Sequence, residues 1–364
     1  MNWLGKRWFL FGLALVGVIA VAAGTAKIKT LTELQPEHAA GGCYTGQLPG
    51  FGNVRLSLFL VEPQPAAWLY REGIGATGYG LINSNSSGGF RVDVLADHAF
   101  DPELLTNATL EFRVVDDGHA LKGVILKGTN NDSQAFVLRR AYEHYQVHQH
   151  SGLMFGRLGA NNSASSQFPS LPEDPALNAM LNQRLAGETH WDVRSFTSGN
   201  ISRQWEMLRY GSGFGEGRQD DQWQVRLLKG TMASFAVWRF SDHGGQCGNP
   251  TSWAGRNFSW RGGKLRELKL ADLFRCDTNW ENEIRRLCHD NLALREFSSP
   301  AHAVLDQGIK LGVFTLSPTG LQIYFNPYTL ASGAEGEFVV HIPYTKLRPF
   351  LRFDGPAGDF AAAE

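Results

Sequence analysis

Residues 320–344 read GLQIYFNPYTLASGAEGEFVVHIPY. Two apolar, aromatic-rich runs flank a glycine-containing break, which predicts two strands joined by a turn. Phe325, Phe338 and Val340 are the expected core residues. IPY ends the second run ahead of a basic, proline-marked close, TKLRPFL.

Upstream, the same half of the chain alternates helix and strand signals. FPSLPEDPALNAMLNQRLAG predicts a helix over 175–186, with Leu177, Leu181 and Leu185 on one face. Strand-like runs follow, among them THWDVRSFTSGN, RQWEMLRYGSG, WQVRLLKG and MASFAVWRFSDHGG. NFSWRGGKLRELKL predicts a hairpin turning at Gly262-Gly263. A second helix is expected over 278–295, with Trp280, Ile284, Leu287, Cys288 and Leu292 inward. Helices packed on an antiparallel sheet make this half α+β.

Residues 42–141 contain eight short segments, from CYTGQL to QAFVLRRA, separated mostly by Gly, Asn, Asp or Pro. In VRLSLFL, Val54, Leu56 and Leu58 share a face with Leu60. Such repetition predicts an all-β meander or small up-and-down barrel. The division expected is therefore a tether at 27–41, the β module at 42–141, a linker at 142–164, the α+β domain at 165–353 and a tail at 354–364.

Lys6 and Arg7 precede the apolar run Trp8–Ala26, WFLFGLALVGVIAVAAGTA. This is a signal peptide cut after Ala26, or an uncleaved anchor crossing the inner membrane with its basic end in the cytoplasm. Both predict export to the periplasm. The formal net charge of -1 gives no electrostatic case for nucleic acid. Cys247, Cys276 and Cys288 are disulfide candidates in an oxidising compartment. The fourth cysteine, Cys43, follows Ala40-Gly41-Gly42, which lacks a lipobox leucine.

Over residues 165–352 the chain resembles a bacterial envelope domain shared by the anti-sigma factor RsiV and the N-terminal region of the peptidoglycan deacetylase PdaC. The resemblance lies in FPSLPEDPALNAMLNQRL, ASFAVWRFSDHGGQCGNP, FSWRGGKLRELKLADLF and FTLSPTGLQIYFNPYTLASGAEGEFVVHIPYTKLRPFL. Family loops often read Gly-Gly-Ala-His-Pro. Here Gly244 and Gly245 are followed by Gln246, Cys247, Gly248, Asn249 and Pro250, and His243 precedes the pair. The resemblance implies recognition of peptidoglycan or of a wall-directed protein such as lysozyme, without catalysis and without a cofactor. The metal-binding motifs of the deacetylase domain are absent from the sequence.

Other chemistry is weakly signalled. GSGFGEG (211–217) matches neither a nucleophile elbow nor a phosphate-binding loop. His144, His148 and His150 in EHYQVHQH, with Glu143, are the best metal candidates; solvated histidines in a linker are the plainer reading. Asp242 beside His243 and Glu188 near His190 could orient a general base, the requirement of a hydrolase alternative. A barrel with an empty interior would instead carry a small apolar ligand. For recognition, rigid aromatic surfaces matter most. Trp253, Trp260, Tyr324, Tyr328 and Tyr344 are the candidates, with Arg256 to pair a carboxylate. The expected binding residues are Trp253, Arg256, His243 and Asn249, around the 243–260 loop.

Overall fold

The computed structural model describes residues 35–36, 41–60, 65–72, 76–84, 89–96, 108–127, 132–155, 158–169, 179, 217–242, 251–261, 264–295, 311–332, 336–358 and 360. The apolar run at 8–26, the helix expected at 175–186 apart from residue 179, and the pair Glu188/His190 lie outside these residues.

After a two-residue strand β1 (Gln35–Pro36), eight antiparallel strands form the N-terminal barrel. They are β2 (Gly42–Leu48), β3 (Gly52–Phe59), β4 (Ala66–Arg71), β5 (Ala76–Ser84), β6 (Phe90–Ala96), β7 (Ala108–Val115), β8 (Ala120–Lys127) and β9 (Asp132–Phe155). Each pairs with the next, and β9 returns to pair with β2, closing the ring. Closure leaves no edge within the barrel. The interior holds the alternate residues the sequence indicates: Val54, Leu56 and Leu58, with Leu69, Val92, Leu110 and Leu138 from other strands. The barrel interior is thus packed with its own apolar side chains, as in small barrels generally.

Within the stretch expected as a linker, residues 142–155 and 158–164 are in strands. β9 runs on to Phe155, and β10 (Leu158–Pro169) pairs antiparallel with its second half, Leu158 opposite Phe155 and Pro169 opposite His144. β10 is parallel to β11 (Gly217–Lys229), which leads an antiparallel meander of β12 (Met232–Asp242), β13 (Thr251–Arg261) and β14 (Lys264–Glu267). Arg261 pairs with Lys264, the last described pair of this hairpin.

A separate antiparallel sheet holds β15 (Val313–Leu316), β16 (Gly320–Phe325) and β17 (Phe338–Pro343), in that order. Helix α1 (Trp280–Leu292) covers one face, and a short α2 (Tyr344–Leu347) follows β17. Glu281 and Glu283 occupy the first turn of α1, where the helix dipole favours acids. Arg286 pairs with Glu283 and Asp290, and Arg285 with Glu281, along its wet face. Ile284, Leu287, Cys288 and Leu292 point inward. They meet Leu321, Ile323 and Phe325 of β16 and Phe338, Val340 and Ile342 of β17. The architecture is an eight-stranded barrel followed by a mainly β, α+β module.

The strand alternation gives the three-stranded sheet a second buried face. Tyr324 and Val339 point away from the helix, toward Trp253 of β13 and Trp68 of β4. At the crossing of the two sheets a Cβ on Gly255 would come within 1.9 Å of the Phe314 carbonyl oxygen, so only glycine fits there.

Candidate functional site

Two of the four expected binding residues are described, and neither sits on a loop. Trp253 lies within β13, is 1% exposed, and cannot offer its ring to a partner. The Gly, Pro and Ser before it read as a loop, but the strand starts at Thr251. Its indole Nε1–H donates to Glu337 Oε1 at 3.1 Å. Burial pushes the Glu337 carboxyl above its ordinary range, against the pull of the Trp253 and Thr251 hydrogen bonds. Arg256, on the same strand, is half-buried and lies 3.5 Å from Glu267 of β14, its neighbour across the hairpin. His243 and Asn249 fall outside the described residues.

The other expectations sort similarly. Tyr324 and Tyr344 are buried, and Trp260 packs partly against the Phe235–Phe258 cluster. Tyr328 differs: it is 64% exposed and has φ 66°, left-handed backbone that is strained for a tyrosine. It sits on the loop between β16 and β17. The backbone of His144, His148 and His150 belongs to β9, paired with β10. Among the described residues no group of three or more His, Cys, Asp and Glu is placed to hold a metal.

Cys276 and Cys288 are not joined to each other. Cys276 is exposed after Phe274, whereas Cys288 points into the core, where burial raises its thiol to about 12. Cys247 lies outside the described residues.

What the sequence does not announce is the layer where barrel and C-terminal module meet. Register places Cys43, Ser57 and Trp68 in one cross-strand row on the outer face of β2–β4, and Thr45, Arg55 and Tyr70 in the next. Across from them stand Gln222, Gln224 and Arg226 of β11. Trp68 Nε1–H donates to Gln222 Oε1 at 2.8 Å, and Arg55 Nη1 donates to the Val225 carbonyl at 2.9 Å. Arg55 is also ion-paired to Glu72 at 2.8 Å. Arg226 lies over the Tyr70 ring, its Cζ 4.4 Å from the centroid. Trp68 contacts Tyr79, Trp238 and Trp253, with centroids 4.7, 5.9 and 5.2 Å away. Thr319 Oγ1 donates to the Glu72 carbonyl at 3.3 Å, tying the β15–β16 turn to the barrel. Burial raises the Tyr70 hydroxyl and the Cys43 thiol above their ordinary ranges. The layer is a dry, polar and aromatic seam.

Comparison with known proteins reaches the C-terminal module. Residues 271–345 match the family described as "Protein of unknown function (DUF3298)". A member of that family from Bacteroides fragilis is similar in structure at 15% identity and a TM-score of 0.44, covering 62% of this chain and 98% of its own. Another, from Pseudomonas aeruginosa, gives 15% identity and a TM-score of 0.38, covering 58% of this chain and 94% of its own. No curated protein matches the chain significantly.

Proposed function

We propose that this chain is a non-catalytic, exported envelope protein that recognises peptidoglycan or a wall-directed protein such as lysozyme, tethered at the inner membrane or released from it by signal cleavage. The sequence resemblance over 165–352 motivates the reading, and the DUF3298 match at 271–345 is consistent with it. The observation that carries it is Tyr328. Of the five aromatics expected to stack on a ligand it alone is exposed, and it is displayed on a strained backbone. Strained, exposed aromatics at loop tips suit recognition of sugar rings and protein surfaces.

Co-sedimentation of residues 27–364 with purified sacculi tests the reading. Retention of the wild type, reduced at least tenfold by Tyr328→Ala, is the expected result. A wild type that stays in the supernatant rules out the wall polymer, and the same pair of proteins is then compared for binding to immobilised lysozyme.

Tyr44, Leu56, Phe112, Phe136 and their neighbours pack the barrel interior, which favours wall or protein recognition over the apolar-ligand carrier reading.

A further inference from the structure

Among the described residues, the seam between the modules contains a charge without an anion. Arg226 is 1% exposed and occupies the irregularity in the β11–β12 ladder, between Val225 opposite Phe235 and Leu227 opposite Ser234. A bulge re-aims the side chain it carries. The guanidinium carbon lies over two rings, 4.4 Å from the Tyr70 centroid and 5.9 Å from that of Trp253. Its Nε and Nη2 atoms, which together form one edge of the fork, have no hydrogen-bond partner among the described residues. The same is true of both amide atoms of Gln224, 2% exposed.

The charges nearby are already committed. Arg55 is matched by Glu72, and Glu337 takes hydrogen bonds from Trp253 and Thr251. A dry guanidinium with no counter-charge is among the most costly features a fold can hold, as is a buried amide with nothing to bond.

We propose that this seam is a binding site for a small carboxylate, held side-on by Nε and Nη2 of Arg226 and supplemented by the Gln224 amide. A carboxylate is planar, presents two oxygens at the spacing of the fork, and carries the single negative charge that the seam lacks. Phosphate would bring excess charge. The ligand sits between the modules, so its binding also strengthens their docking. This site is independent of wall recognition, which the Tyr328 loop serves.

Equilibrium dialysis of the full chain against radiolabelled acetate, and separately against labelled phosphate, tests the proposal. The expected result is saturable binding of about one acetate, with a rise in Tm of about 5 °C at a hundredfold excess over Kd. Arg226→Met abolishes both and, in carboxylate-free buffer, is at least as stable as the wild type. If that variant does not fold, Gln224→Leu is used instead, with acetate affinity reduced about tenfold by loss of one hydrogen bond to a charged group. Absence of acetate binding by the wild type, equal binding by the variants, or binding of phosphate without acetate each overturns the proposal.

Discussion

Asn326 and Trp253 are paired as if they were opposed residues of two strands. The Trp253 backbone N–H donates to Asn326 Oδ1 at 2.6 Å, and Asn326 Nδ2 donates to the Trp253 carbonyl at 2.9 Å. One side-chain amide thereby satisfies both backbone groups of a residue facing the second sheet. Asn326→Ala strands the pair and is expected to lower stability by about 2 kcal/mol or more. Asn326→Asp keeps the acceptor, loses the donor, and falls between. Urea denaturation of the three proteins checks the order, and a fully neutral Asn326→Ala contradicts it.

Trp68 and Gln222 join the barrel to the meander through one buried hydrogen bond. Trp68→Phe leaves the Gln222 oxygen without its donor, and Gln222→Leu removes the acceptor. A double-mutant cycle is expected to return a coupling of about 1 kcal/mol or more. Additive single effects mean that the seam is not held by this pair.

Gly255→Ala places a methyl group 1.9 Å from the Phe314 carbonyl oxygen, and neither is the free end of a side chain. The sheets have to part. A loss of about 1–3 kcal/mol is expected, seen as a lower denaturation midpoint with unchanged slope. By contrast, Gly312→Ala meets open space and serves as the control.

His341 is half-buried on β17, and desolvation lowers its pKa to about 4 from 6.5. Below pH 6.5 the unfolded chain takes up a proton that the native ring refuses until about pH 4. Stability is therefore complete above pH 6.5 and declines as pH falls to 4, by about 3 kcal/mol in total. Glu337, raised by burial, has the opposite sign: its contribution is present below the unfolded carboxylate pKa and is lost as pH rises through the folded one. The difference between wild type and His341→Gln isolates the histidine. Parallel pH profiles of the two proteins contradict the assignment.

Cys276 should react with a maleimide in the native protein within minutes, and Cys43 and Cys288 only after denaturation, since both are buried and protonated. Peptide mapping of the labelled sites decides this. Protection of Cys276 that is relieved by reductant would instead reveal a disulfide to Cys247.

The barrel was legible because its strands alternate: Val54, Leu56 and Leu58 mark an inner face, and turn residues mark the ends. The closing strands were legible for a related reason, since both their faces are buried and they read as apolar runs. β10 escaped notice because LGANNSASSQFP has loop composition, and its strand conformation comes from β9 and β11 on either side. The seam was hidden for a deeper reason. Ser57, Gln222, Gln224 and Arg226 carry the polar signature of a wet strand face, and they become dry only when a separate module docks there. No local period encodes that event. The turn residues before Trp253 carry a loop signature, although the residue pairs with Trp238 of β12.

The 24-residue strand β9 belongs at one end to the barrel wall and at the other to the sheet of the C-terminal module. A hinge between the modules would have to bend a paired strand, so any reorientation amounts to a twist shared by both. The same continuity means that neither module can be cut out as a cassette within 142–155 without leaving a raw strand edge. A gene in which only one half was exchanged would inherit half of that strand and no partner for it.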